Sequence, residues 1–134
     1  MIFVVPIRYE IDRHRKLIRT ACIGSVNPNE ISEHFRDLAS NPDRPDRLNV
    51  LLDLTEMTSL PETQQVRAAN SELSWHRHTL QFNACAIVAG NDTVFGMMRM
   101  FLTMAEDSFS VTQVFRTRAE AELWLASNEI PGPA

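Results

Sequence analysis

Residues Leu48-Asn49-Val50-Leu51-Leu52-Asp53-Leu54 form an apolar run with one carboxylate near its end, and the segment Thr55 to Glu62 that follows carries a helix-start signal. A run this apolar, bounded by turn residues, is the pattern of a strand buried on both faces, as in parallel sheets. Two more runs, Ala84 to Ala89 and Val111 to Phe115, are each preceded by a helical pattern. Strands alternating with helices place the chain in the α/β class.

The full order reads β-β-α-β-α-β-α-β-α. Ile2 to Tyr9 and Leu17 to Ile23 flank the polar turn Asp12-Arg13-His14-Arg15-Lys16, which predicts an antiparallel hairpin. Pro6 places the first strand at an edge. Asn27-Pro28-Asn29-Glu30 is a capping pattern, and Ile31, Phe35 and Leu38 follow at helical spacing. Ser59-Leu60-Pro61-Glu62 reads as a second capping box, opening a helix with Val66, Ala69 and Leu73 on its stripe that ends near His76-Arg77-His78. A third helix is expected from about Thr93 to Glu106, with Val94, Met97, Met98, Phe101 and Met104 inward. Thr117-Arg118-Ala119-Glu120 opens the last helix, which buries Ala121, Leu125 and either Leu123 or Trp124.

Alternation along the strands sorts their side chains onto two faces. One collects Leu17, Ala21, Ile23, Leu48, Val50, Leu52, Leu54, Cys85, Ile87, Ala89, Val111 and Phe115. The other, smaller and more polar, collects Ile18, Thr20, Cys22, Asn49, Leu51, Asp53, Ala84, Ala86, Val88, Thr112 and Val114. That second face is expected to need cover from the first helix, the first strand or another chain.

A length of 134 residues suits one domain, 1–134, with 127–134 expected as a mobile tail. The net charge of −4, with no basic stripe, argues against nucleic acid as a partner. The longest apolar runs fall far short of the ~20 residues a transmembrane helix needs. Met1 to Ile7 lacks a basic n-region and a cleavage site, so it reads as a strand and not a signal peptide. Cys22 and Cys85 both sit in predicted strands. A cytoplasmic, reduced setting is the expectation, with a single bridge between them left open.

The words Leu51-Leu52-Asp53-Leu54, Phe95-Gly96-Met97-Met98-Arg99-Met100-Phe101, and Val114-Phe115 followed by Ala121-Glu122-Leu123-Trp124-Leu125 resemble the STAS domains (sulfate transporter and anti-sigma-factor antagonist). The similarity runs from about Ile7 to Ala126 and is nearest to the SpoIIAA-like, CRAL-TRIO-like bacterial branch. It implies a right-handed β-α superhelix: a mostly parallel five-stranded sheet, an N-terminal antiparallel hairpin and four helices. It also implies a non-catalytic binding or regulatory role. Anti-sigma antagonists carry a phosphorylated serine in an Asp-Ser-Ser-Gly word at the start of the helix after the equivalent strand. This chain has Pro61-Glu62-Thr63-Gln64 there, with Thr58, Ser59 and Thr63 the hydroxyls nearby.

Ligands of open α/β sheets bind beyond the carboxyl ends of the strands. That edge offers Asp53, Thr55, Ser59, Glu62, Thr63, Gly90, Asn91 and Asp92. Two helix starts there can hold an anion, although the commoner role for Ser59 and Asp92 is simply to cap their helices. Asp53 is expected to accept from a turn amide or to pair with an arginine such as Arg99. Met97, Met98, Met100 and Met104 crowd the third helix; such a surface adapts to apolar ligands or partner helices, and is also ordinary core. His76 and His78 cannot form an i,i+4 metal pair. No Gly-rich phosphate loop, nucleophile elbow or Cys-x-x-Cys is present, so no metal, cofactor or catalytic residue is expected. The readings are a module binding a protein partner or a small apolar or anionic ligand; a carrier using the Met-rich helix; or, least, an enzyme using Asp53. A homodimer is also expected.

Overall fold

Lys16, with a φ of +51°, turns the chain between β1 (Ile7–Asp12) and β2 (Leu17–Gly24), which pair antiparallel. The structure, a computed structural model, describes residues 6–131. The expected first strand therefore lies partly outside the described residues, and β1 runs three residues further than Tyr9.

The remaining elements alternate: α1 (Pro28–Ser40), β3 (Arg47–Met57), α2 (Thr63–Trp75), β4 (Gln81–Val88), α3 (Asp92–Met104), β5 (Val111–Phe115) and α4 (Arg118–Ala126). A single 3₁₀ turn, Glu106–Ser108, lies between α3 and β5. Strand order is sequential, β1-β2-β3-β4-β5, and every pair after the first is parallel. Parallel neighbours taken in order, with crossovers of one hand, put all their connecting helices on one face. Helices α1, α2 and α3 do pack there, over Ile18, Val50, Leu52, Leu54, Cys85 and Ile87. Helix α4 follows the last strand and is free of that constraint. It packs on the opposite face against Leu17, Leu51, Ala84, Ala86, Val88 and Phe115.

Four sequence expectations change. The faces of β2 and β5 are exchanged relative to β3 and β4: Ile18, Thr20 and Cys22 share the three-helix face with Leu52, while Leu17 and Phe115 lie under α4. Alternation fixes a strand's two faces but not its register against a neighbour, and a slip of one residue inverts the assignment. The second change is that the small-residue face needs no other chain, because α4 covers it. The third is that α2 begins after Glu62, not at Ser59. Strand β3 continues to Met57, paired with Gly24, and Thr58 N–H donates to Gly24 O at 3.0 Å. The next residues are thus spent on the turn. Asn91, not Asp92, caps α3, its side chain accepting from the Thr93 and Val94 amides.

Beyond α4, residues 128–131 are tied to the sheet. Asn128 O accepts from Asn49 Nδ2 at 3.0 Å, Arg15 meets Glu129 at 3.0 Å, and Lys16 Nζ donates to Pro131 O at 2.9 Å. The last three residues of the expected tail lie outside the described residues.

Candidate functional site

Between the sheet and the three helices lies a cavity of about 150 Å³. Its floor is Thr20 and Cys22 of β2, Val50, Leu52 and Leu54 of β3, and Cys85 of β4. These inward-facing residues leave space because Cys22 and Cys85 are small and Thr20 and Val50 are short and branched at Cβ. The roof follows the helical stripes: Ile31, His34, Phe35 and Leu38 of α1, Val66, Ala69 and Leu73 of α2, and Met98 and Phe101 of α3. Phe82 and Phe109 stack at 5.5 Å between ring centroids and close the β4 side. At the end formed by the loops, Gln65 joins two walls. Its side chain accepts from the Glu62 amide and donates to Val26 O.

Among the described residues, no Asp, Glu, Lys or Arg lines this space. Burial pushes the Cys22 and Cys85 thiols up to about 12, and both cysteines are free, so the bridge left open from the sequence is not formed. Thiols held protonated in this way are inert as nucleophiles. Burial takes the His34 imidazole down to about 4, leaving it neutral near pH 7. The Tyr9 and His34 rings meet edge-on at 5.2 Å. Among the described residues, no group of three or more His, Cys, Asp or Glu is arranged to hold a metal ion.

The residues singled out from the sequence lie elsewhere. Asp53 is 8% exposed, on the α4 face. Its Oδ1 accepts from the Thr55 amide at 2.9 Å and the Thr55 hydroxyl at 2.6 Å, and its Oδ2 lies 3.9 Å from Arg118. The turn amide was one expectation; the arginine is Arg118, because Arg99 belongs to a helix on the other side of the sheet. Gly90 O accepts from Arg116 at 3.4 Å, and the same guanidinium meets Asp92 at 2.5 Å and covers the Phe95 ring at 4.1 Å. The strand edge thus brings Asp53, Gly90 and Asp92 near Arg116 and Arg118, whose charges pair with the carboxylates. Ser59, Glu62 and Thr63 are exposed at the start of α2 and Arg99 on α3. Met98 is buried, Met97 half-buried, and Met100 and Met104 are 69% and 63% exposed. Leu102 and Ala105 fill the place expected for Met104.

Sequence reasoning passed over Thr20, His34 and Gln65. For His34 the signal was present: it lies three residues after Ile31 and four before Leu38, on the apolar stripe of α1. A polar side chain on an apolar stripe is the informative exception.

A sequential, mostly parallel five-stranded sheet with three helices on one face and one on the other is the architecture of a STAS-type α/β domain. Residues 17–126 match the SpoIIAA-like family, and the chain belongs to that family. Among solved structures, a protein from Shewanella loihica with a SpoIIAA-like fold is similar, with a TM-score of 0.63 over 89% of this chain and 93% of that one, at 15% identity. That likeness establishes a shared fold. No curated protein matches this sequence. No helix among the described residues is long and apolar enough to cross a membrane.

Proposed function

We propose that this protein is a non-catalytic binding module that takes a small apolar molecule between its sheet and helices α1 to α3. The cavity carries this reading: about 150 Å³ of space lined almost wholly by apolar side chains. A dry apolar cavity of that size holds a benzene-sized guest. Binding sites of this kind are concave and mostly apolar, with a few polar groups. Of the readings open from the sequence, a carrier or sensor of an apolar metabolite gains most, and its site is the underside of α3 with α1 and α2. The strand-edge residues Asp53, Gly90 and Asp92 would then serve the fold and not a ligand. Among the described residues no charged side chain lines the cavity, which argues against an enzyme there. A cytoplasmic bacterial setting accords with the two free cysteines and the bacterial relative. Native mass spectrometry of freshly purified protein, followed by organic extraction, tests the proposal. A stoichiometric apolar adduct is expected. Apoprotein alone, which also fails to bind any added apolar compound, would refute it.

A second reading rests on Met100 and Met104, one turn apart on the outer side of α3 and largely exposed. Methionine surfaces suit adaptable contacts. A homodimer or a protein partner through this surface is expected to be lost with Met100→Lys. Sedimentation velocity at micromolar concentration checks it, and a monomer in the wild type would rule out the homodimer.

A further inference from the structure

Two polar side chains interrupt the apolar lining on the β1 side of the cavity. Thr20 is 5% exposed and lies in register opposite Tyr9. Opposed residues of an antiparallel pair project to one face, with Cβ atoms about 5 Å apart. His34 sets its ring against that same Tyr9. Thr20 and His34 therefore flank one tyrosine, and both line the cavity. The Tyr9 hydroxyl is already engaged, donating to Asp37 Oδ2 at 2.6 Å and accepting from Asn41 Nδ2 at 3.1 Å. Among the described residues the Thr20 hydroxyl and the His34 ring make no hydrogen bond, and neither is closed off as a buried orphan. Both therefore keep surface open to the cavity, where water or a guest that enters can pair with them.

The chemistry of that guest follows from the lining. Among the described residues no ionised side chain lines the cavity to offset a carboxylate or an ammonium, and burying an unpaired charge is prohibitive. A neutral imidazole offers one donor and one acceptor, and a threonine hydroxyl offers both. A hydroxyl on the guest, itself both donor and acceptor, matches them. The volume admits one aromatic ring.

Resting on the binding reading above, we infer that the cavity selects a neutral one-ring aromatic bearing a hydroxyl, whose oxygen meets Thr20 and His34. The ring then lies toward Leu52, Leu73, Met98 and Phe101, which line the remainder.

Isothermal titration with phenol, benzene and benzoate at pH 7 tests this. Phenol should bind about tenfold tighter than benzene, the usual worth of a satisfied hydrogen bond in a dry site. Benzoate should bind more weakly than phenol by at least as much. Thr20→Val should bring phenol to the level of benzene and leave benzene unchanged, which also shows that the variant folds. Should Thr20→Val fail to fold, His34→Phe carries the same expectation. Equal affinity for phenol and benzene in the wild type would overturn the inference and leave the apolar cavity standing. Benzoate binding as tightly as phenol, or phenol affinity unchanged in a folded variant, would overturn it too. Failure of both benzene and phenol to bind would remove the cavity reading itself.

Discussion

Leu51 and Leu52 are neighbours in β3 and face opposite halves of the molecule. Leu51 is 1% exposed beneath α4, while Leu52 is half-buried on the cavity floor. Leu51→Ala should cost about 2–5 kcal/mol by lost transfer energy and a new void. Leu52 is only partly buried, so Leu52→Ala forfeits less transfer energy and should cost less, about 2 kcal/mol. Urea midpoints at constant slope measure both; equal losses would contradict the separation of the two layers. His34 adds a pH dependence. Its folded-state value of about 4 lies below the ordinary 6.5, so between those values the unfolded chain binds more protons. Stability is therefore complete above 6.5 and is lost as pH falls toward 4, by up to about 3 kcal/mol. His34→Phe should flatten that stretch of the stability curve, and an unchanged slope would place the imidazole in solvent. The apolar run of β3 announces a doubly buried strand. It does not say that one face meets a full core and the other a cavity, because both ask for the same residue types.

Helix α4 combines an apolar underside with a cluster of ion pairs to the sheet. Glu122 on α4 meets Arg19 on β2 through two bonds, of 2.8 and 3.2 Å, with Arg15 and Arg118 within 4 Å. The Arg19 hydrogen bond first, and then the surrounding positive charge, holds the Glu122 carboxyl below its usual value of 4.5. Its contribution is therefore present above 4.5 and lost as pH falls below that, a lower window than that of His34. The pair is partly exposed, so Glu122→Gln should cost only about 1 kcal/mol, with hydrogen exchange rising in α4 before other helices. Uniform protection after the substitution would show that α4 is held by its apolar side alone. Asn49 performs a comparable task at the β3–β4 irregularity. Its Oδ1 accepts from the Ala84 amide at 3.0 Å and from Asn83 Nδ2 at 2.9 Å, while its Nδ2 holds Asn128 O. Asn49→Ala leaves a buried amide unpaired and should cost about 1–3 kcal/mol in a thermal or urea melt. A loss near zero would mean that water replaces the side chain. Helix order, the Asn27 cap and the Thr117 cap are legible in the sequence because each depends on residues within one turn. The Glu62 start of α2 and the faces of β2 and β5 are not, because they depend on how far a strand pairs with its neighbour.

For the whole molecule, sequential parallel strands put three helices on one side of a five-stranded sheet and one on the other. The alternation of strand and helix in the sequence carries that architecture. The candidate site is less legible, since a cavity is the space left when side chains from four strands and three helices fail to meet, and no single segment encodes it. The carboxyl edge of the sheet attracts attention in the sequence because its residues are polar, yet Asp53 and Asp92 are matched there by Arg118 and Arg116. The proposed function rests on the cavity, and a crystal of the protein pressurised with xenon reports on it directly. A xenon atom is expected among Val50, Leu52, Leu73 and Met98, bound without displacement of the sheet. A crystal in which side chains fill that volume and no xenon enters would contradict it.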